Sequence, residues 1–363
     1  MGKIRILVVD DSVVVRRMVS DVLSSDPHME VAGVAANGRI ALAKIEQSNP
    51  DIATLDLEMP DMHGLEVLRE IRRRRPDLPV IIFSTLSERG AAITLEALAL
   101  GANDYVTKPA NVGGVVQAIE CLKTELIPRI RALCQPHRAA VLPVEPSPSG
   151  RMAAPRPVFF EGKPKAVVIG VSTGGPGALT QVLPQLEETL PVPILIVQHM
   201  PELFTRFLSE RLNHICRMNV HEALDGMIAE SGNIFIAPGG WHMLINWEPP
   251  HFVLRINREA PRNSCRPSVD LLFESAAEAY GSGLLGVVLT GMGYDGLKGA
   301  EKIREKGGYI LTQDRESSVV WGMPGVVTEA GLANKVVPLD QVATEIKRLV
   351  TMGFRSPMPV GTP

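Results

Sequence analysis

Short apolar runs alternate with stretches in which apolar residues return every three or four positions, and this alternation persists along most of the chain. In the first part, the runs Ile4–Val9, Val31–Ala35, Ile52–Leu55, Val80–Phe83 and Asp104–Val106 predict strands. The stretches Val13–Leu23, Ile40–Gln47, Leu65–Arg72, Ala91–Leu100 and Val112–Leu133 predict helices, the last broken or bent near Pro128. Successive βα units of this kind specify a doubly wound, mainly parallel α/β sheet.

The alternation lapses between Gln135 and Pro164, where Pro136, Pro143, Pro146, Pro148, Pro155, Pro157 and Pro164 lie among small and polar residues. This reads as a stiff, extended linker, part of which, Val158-Phe159-Phe160, is suited to pack on a domain surface. From Lys165 the pattern resumes. Strands are expected at Ala166–Ile169, Ile194–Val197, Ile234–Ala237, Leu244–Ile245, Phe252–Ile256, Leu284–Leu289 and Tyr309–Thr312, and helices at Leu179–Glu187, Leu203–Arg211, Val269–Tyr280, Gly296–Lys306 and Leu339–Val350. This is a second mainly parallel α/β domain, with Phe252–Ile256 and the turn-rich Pro238–Trp247 expected to add an antiparallel hairpin at one edge. The expected layout is therefore residues 1–134, a linker over 135–164, a second domain over 165–352 and a tail over 353–363.

Composition adds exclusions. A chain of 363 residues with 45% hydrophobic and 21% charged residues and a net charge of −3 suggests neither nucleic acid nor an anionic membrane surface as partner. No apolar run reaches the length of a membrane span and no leader is evident, so a cytoplasmic location without membrane insertion is expected. Cys121, Cys134, Cys216 and Cys265 have no zinc or redox spacing and read as free thiols.

Candidate chemistry collects at strand ends. In the first domain Asp10 and Asp11 follow one strand and Asp56 another, so three carboxylates converge on the carboxyl edge of the sheet. Crowded carboxylates suit a hard cation such as Mg²⁺ with positions left for water and phosphate. Ser84 and Lys108 end two further strands, where a hydroxyl and an ammonium would suit a phosphoryl group on Asp56.

In the second domain Gly170-Val171-Ser172-Thr173-Gly174-Gly175-Pro176 follows a buried-type strand and sets a serine at the crevice. His199 ends the strand through Gln198 and is the candidate base; His242, in Gly239-Gly240-Trp241-His242-Met243, is its rival and a candidate for substrate contact. Asp295 follows Leu284–Leu289 and is the candidate orienter, with Asp314 as the alternative acid or a plain turn residue. Gly291–Gly293 offers backbone N–H groups to an oxyanion. The order serine, histidine, aspartate differs from the serine, acid, histidine order of α/β-hydrolases, so the local G-x-S-x-G match is not read that way.

Val8-Val9-Asp10-Asp11-Ser12, Asp56-Leu57-Glu58-Met59-Pro60 and Thr107-Lys108-Pro109 resemble the receiver domain of two-component response regulators. The resemblance implies a flavodoxin-like fold, phosphorylation of Asp56, and Mg²⁺ held by Asp10, Asp11, Asp56 and the backbone carbonyl of Glu58. It also implies a switch through Ser84 and Tyr105. His63 stands where relatives often carry an acid and is expected to be solvated without a role.

The stretch around Ser172, together with Val197-Gln198-His199-Met200-Pro201, Ile236-Ala237-Pro238-Gly239, Arg266-Pro267-Ser268-Val269-Asp270, Leu289–Gly296 and Gly322-Met323-Pro324, resembles the CheB family of chemotaxis methylesterases. That resemblance implies hydrolysis of glutamate methyl esters on methyl-accepting chemotaxis receptors, deamidation of receptor glutamines, and a CheA-type histidine kinase as phosphoryl donor. It implies no cofactor for the ester reaction. Ser172 would be the nucleophile, His199 the base, Asp295 its orienter, and N–H groups near Thr173 and Met292 the oxyanion donors. Phosphorylation is expected to uncover the serine edge. The competing expectation is a phosphorylation-controlled binding protein whose esterase domain is inactive.

Overall fold

The computed structural model describes residues 2–108, 114–134 and 159–357. Contacts divide the chain into two units, Met1–His137 and Arg138–Pro363.

The first unit runs β1 (Ile4–Val9), α1 (Val13–Ser24), β2 (Met29–Ala35), α2 (Gly38–Ser48), β3 (Ile52–Asp56), α3 (Gly64–Arg74), β4 (Val80–Ser84), α4 (Glu88–Ala99), β5 (Asp104–Thr107) and α5 (Val115–Cys134). Its strands form one five-stranded sheet in the order β2-β1-β3-β4-β5, and every pairing is parallel. β3 and β4 are buried throughout, as strands covered on both faces must be. Helix starts follow side-chain chemistry: Ser12, Asn37 and Ser87 accept from the backbone N–H groups of Val15, Ile40 and Gly90. The expected break at Pro128 does not occur, and α5 continues through it. Leu122, Leu126 and Ile130 are fully buried on the inner face, and Arg131 pairs with Asp26. Tertiary packing on both sides of the proline thus outweighs the backbone hydrogen bond it removes.

The second unit contains β6 (Phe159–Gly162), β7 (Ala166–Val171), α6 (Gly175–Val182), β8 (Ile194–Gln198), α7 (Glu202–Ile215), β9 (Asn219–Glu222), β10 (Asn233–Ile236), β11 (His242–Glu248), β12 (His251–Asn257), α8 (Val269–Tyr280), β13 (Leu284–Val288), α9 (Leu297–Glu305), β14 (Tyr309–Gln313), α10 (Met323–Glu329), β15 (Lys335–Val337), α11 (Leu339–Met352) and β16 (Phe354–Pro357). Seven strands form a sheet in the order β15-β14-β13-β7-β8-β10-β9, all paired in parallel. β7 is the pivot. The chain leaves it toward β8 and later returns on its other side as β13, so a topological switch point lies at its carboxyl end.

Three expectations differ from this architecture. The antiparallel hairpin β11-β12 is a separate two-stranded sheet rather than an addition to the large sheet's edge. The edges are taken by the short strands β9 and β15, and the hairpin instead places Met243, Ile245 and Leu254 in the same buried cluster as Leu272 and Phe273 of α8. β6 and β16 pair antiparallel, so strand structure occupies the end of the expected linker and the start of the expected tail. The helix expected at Leu179–Glu187 begins earlier, at Gly175, and ends in a 3₁₀ turn at Leu183–Gln185. The remainder of the expected linker up to residue 158, and Pro109, lie outside the described residues.

Candidate active site

The local sequence explains where the serine sits. β7 is apolar and buried on every residue, then gives way to Ser172 and a glycine pair that opens α6. In the β7–β8 register Val171 faces Gln198, so Ser172 and His199 are the next residues along two hydrogen-bonded strands, and His199 N–H donates to the Val171 carbonyl at 3.2 Å. From the other side, Ser172 N–H donates to the Thr290 carbonyl at 3.0 Å. Gly291 lies so close that a Cβ there would stand 2.8 Å from the Ser172 Cβ, so this approach requires glycine. Ser172, His199 and the loop after β13 therefore meet at the switch point.

His199 is held on both ring nitrogens. Nε2 lies 2.9 Å from Asp295 Oδ2, and Nδ1 lies 3.8 Å from Cys265 Sγ. In the neutral ring Nε2 carries the proton toward a carboxylate that can only accept, which leaves the Nδ1 lone pair on the side of Cys265. Among the described residues the Ser172 hydroxyl makes no hydrogen bond. Burial disfavours a charged imidazole, but hydrogen bonds with Asp295 and Cys265 outweigh it and raise the His199 pKa to about 9.

Asp295 is 3% exposed and saturated with donors. Besides His199, Oδ2 accepts from Val269 N–H at 2.7 Å, while Oδ1 accepts from Ser268 Oγ at 2.9 Å, Asn263 Nδ2 at 3.0 Å and Asp270 N–H at 3.2 Å. Burial works against the charge, yet His199 and these donors hold the carboxyl down at about 2. Val269 and Asp270 form the first turn of α8, where N–H groups have no partner within the helix, so Asp295 caps α8 from outside. The relation is reciprocal. Asp270 Oδ1 accepts from Gly296 N–H at 2.9 Å and Gly299 N–H at 2.8 Å at the start of α9, and its Oδ2 accepts from Asn263 Nδ2 at 2.7 Å. Two helix starts and two buried carboxylates thus lock the Asp295 side chain in place. Burial pushes the Asp270 carboxyl up, and nearby Asp295 adds to it.

A further clamp is the buried Gln198 amide, which donates to the Ser172 carbonyl at 3.1 Å and the His199 carbonyl at 3.3 Å. Sequence reasoning assigns no role to Gln198, Asn263, Cys265, Ser268 or Asp270, although the 266–270 motif contains two of them. The available signal was an acid at the first turn of a predicted helix. His242 is fully buried at the start of β11, and its Nε2 lies 3.2 Å from the Ala260 carbonyl. Asp314 accepts from Ser317 N–H at 2.9 Å and Ser317 Oγ at 2.6 Å, the bonding of a turn residue. Thr173 is buried, with its carbonyl receiving Thr290 Oγ1 at 2.9 Å. Met292 is half-buried, and among the described residues its N–H makes no hydrogen bond.

In the first unit, Asp10, Asp11 and Asp56 offer carboxylate oxygens within 4.8 Å of one another. That donor set fits a hard divalent cation. Lys108 Nζ lies 2.9 Å from Asp10 Oδ2 and 2.7 Å from Asp56 Oδ2. Burial, partly opposed by Lys108, raises the Asp56 pKa; burial lowers that of Lys108, but the two carboxylates more than restore it. Glu58 N–H donates to Asp56 Oδ1 at 3.1 Å, wrapping the 56–58 turn around the carboxylate. The Ser84 hydroxyl accepts from Thr94 Oγ1 at 2.6 Å and lies 3.3 Å from the Gly90 carbonyl, and so is engaged with α4. Tyr105 is buried and His63 is exposed at the start of α3.

Comparison with known proteins agrees with this division. Residues 167–346 match the family model described as CheB methylesterase, and residues 6–120 match that of the response regulator receiver domain. A Trichodesmium erythraeum protein named protein-glutamate methylesterase/protein-glutamine glutaminase is 50% identical over 353 residues, covering 96% of this chain and 100% of that protein. A protein of the same name from a Nocardioides species is 48% identical over 366 residues, covering 99% of each. The crystal structure of the Thermotoga maritima CheB methylesterase catalytic domain is 40% identical with a TM-score of 0.51, covering 52% of this chain and 100% of that domain. Among the described residues no helix is long and apolar enough to cross a membrane.

Proposed function

We propose, starting from the fact that this chain belongs to the CheB methylesterase family and carries a receiver domain, that it hydrolyses glutamate methyl esters on chemoreceptors under the control of phosphorylation. The observation that carries the reading is the His199–Asp295 pair, closed by reciprocal helix caps and set beside Ser172. Ser172 Oγ attacks the ester carbonyl as His199 Nδ1 takes its proton, and Asp295 on Nε2 keeps the ring oriented and stabilises its charge. The N–H groups of Thr173 and Met292 receive the oxyanion. The imidazolium returns its proton to the departing methoxide, releasing methanol. Water then adds to the acyl-enzyme with His199 again as base, freeing the glutamate. Deamidation of a receptor glutamine follows the same path with ammonia leaving.

In the receiver domain Asp56 takes the phosphoryl group from a histidine kinase of the CheA type, with Asp10, Asp11, Asp56 and the Glu58 carbonyl as the residues that would hold Mg²⁺. The ion supplies charge neutralisation for phosphoryl transfer when bound. Lys108 holds the phosphoryl oxygens, and Ser84 and Tyr105 report the change. The domain layout we infer is the receiver over 1–134, the catalytic domain over 165–352, and the intervening and terminal segments beside them.

Phosphorylation should raise methanol release from a methylated receptor cytoplasmic fragment. A small-molecule phosphodonor with Mg²⁺ is expected to stimulate the full chain and leave Asp56→Asn unchanged. Fragment 152–363 should be active without a donor. Equal activity of the unphosphorylated full chain and the fragment would contradict control by the receiver.

The acid–base behaviour follows from the His199 environment. A protonated imidazole cannot accept the serine proton, so kcat/KM should rise with pH through about 9, the raised pKa of His199. A profile already flat at neutral pH would refute this assignment.

A further inference from the structure

We infer that His199 and Cys265 form a zinc-binding site through which Zn²⁺ reversibly shuts the catalytic centre. The donor set is the first reason. An imidazole and a thiol from His199 and Cys265, with the Asp295 carboxylate beside them, place their polar atoms within 4.8 Å of one another, and nitrogen and sulfur are the atoms that select zinc over hard cations. The spacing is the second. Zinc bonds imidazole nitrogen at about 2.0–2.1 Å and thiolate sulfur at about 2.3 Å, which at a tetrahedral angle sets the two atoms about 3.5 Å apart. Nδ1 and Sγ stand 3.8 Å apart, long for a strong hydrogen bond and close to the span of a zinc-bridged pair.

The third reason is the surrounding shell. Zinc-bound histidines characteristically donate their other ring N–H to a carboxylate, which fixes the tautomer and strengthens the ligand. Here Asp295 already occupies that place on Nε2, and its other bonds to Val269, Ser268, Asn263 and Asp270 keep it there. Asp295 therefore supports the site and is not displaced into it. Cys265 and His199 are both only partly buried, so an ion can reach them. On binding, Cys265 S–H and, where the ring is protonated, His199 Nδ1–H each release a proton to solvent, one Zn–S and one Zn–N bond form, and water fills the remaining positions. The Nδ1 lone pair consumed is the one that accepts the Ser172 proton in the reaction proposed above, so occupancy and catalysis exclude each other.

The test uses the full chain in Mg²⁺ buffer, titrated with zinc chloride while methanol release is followed, and separately with cobalt chloride while absorbance is followed. Zinc should inhibit, a chelator should restore the rate, and cobalt should give a thiolate-to-cobalt charge-transfer band. Cys265→Ser should lose the band and raise the half-inhibiting zinc concentration at least about tenfold, each rate compared with that variant's own metal-free value. His199→Gln, tested for the band alone, should lose it as well. The acidic cluster of the receiver has no sulfur and cannot produce the signal. A band that persists in Cys265→Ser, no band in the unsubstituted chain, or zinc inhibition unchanged by Cys265→Ser would overturn the proposal. Because the band needs no turnover, its presence in a chain that released no methanol would uphold the metal site while refuting the esterase reading.

Discussion

Replacing Ser172 with Ala should lower kcat for methanol release by about 10⁵ to 10⁶, because the nucleophile of a triad acts as a unit with its base. The substitution removes one half-buried oxygen that makes no hydrogen bond among the described residues, so the fold should be retained. Substrate binding should change little, since oxyanion donors and crevice remain. The loss should fall on kcat and not on KM. A Ser172→Ala chain that still released methanol within about tenfold of the starting rate would remove covalent catalysis from the account, and with it the competition between zinc and the serine proton at Nδ1.

Asp295→Asn should cost about 10⁴ in kcat. The reason is specific to the donors around this side chain. Oδ2 receives His199 and Val269, and Oδ1 receives Ser268, Asn263 and Asp270. An amide offers only one acceptor oxygen, so its NH₂ must face donors whichever way it turns. Facing His199, it forces the ring to accept at Nε2 and carry its proton on Nδ1, the tautomer that cannot take the serine proton. Facing the other side, it leaves three donors opposed, at about 1–3 kcal/mol for each buried group left unpaired. Thermal unfolding of this variant should therefore shift down while that of Ser172→Ala does not. Kinetics close to those of the unsubstituted chain would show that the orienting role lies elsewhere.

How much of this was legible in the sequence depends on the range of the interaction. Strands with continuous apolar runs, such as Val80–Phe83 and Ala166–Ile169, declare themselves, and a polar residue at the end of such a run must stand at the sheet's edge. That is why Ser172, His199, Asp295, Asp10 and Asp56 group at strand ends from the sequence alone. Pairing across the sequence was not legible. Nothing local in Phe159–Gly162 says that it pairs with Phe354–Pro357, and nothing in the hairpin strands says that their apolar face is covered by α8 while β9 and β15 take the sheet edges. Pro128 misled because local propensity yields to packing once both flanks of a helix are anchored.

The site's support was hidden for the same reason. Asp295 and Asp270 each satisfy the start of a helix belonging to the other's segment, and periodicity along one segment carries no trace of such an exchange. Cys265 reaches His199 from 66 positions away in the sequence, with no spacing motif to announce it. His242, by contrast, was eligible because it follows a strand; nothing in the alternation of β11, where Met243 and Ile245 form the buried face, announces that His242 is buried as well.

In the proposed reaction Ser172 carries the acyl group of a receptor glutamate. Rapid acid quenching of the full chain with a methylated receptor cytoplasmic fragment, followed by proteolysis and mass spectrometry, measures it directly. A receptor-derived acyl adduct is expected on the peptide containing Ser172, formed and lost at rates that match methanol release and absent from Ser172→Ala. Methanol release at an undiminished rate from Ser172→Ala, with no adduct at Ser172 in the unsubstituted chain, would contradict it.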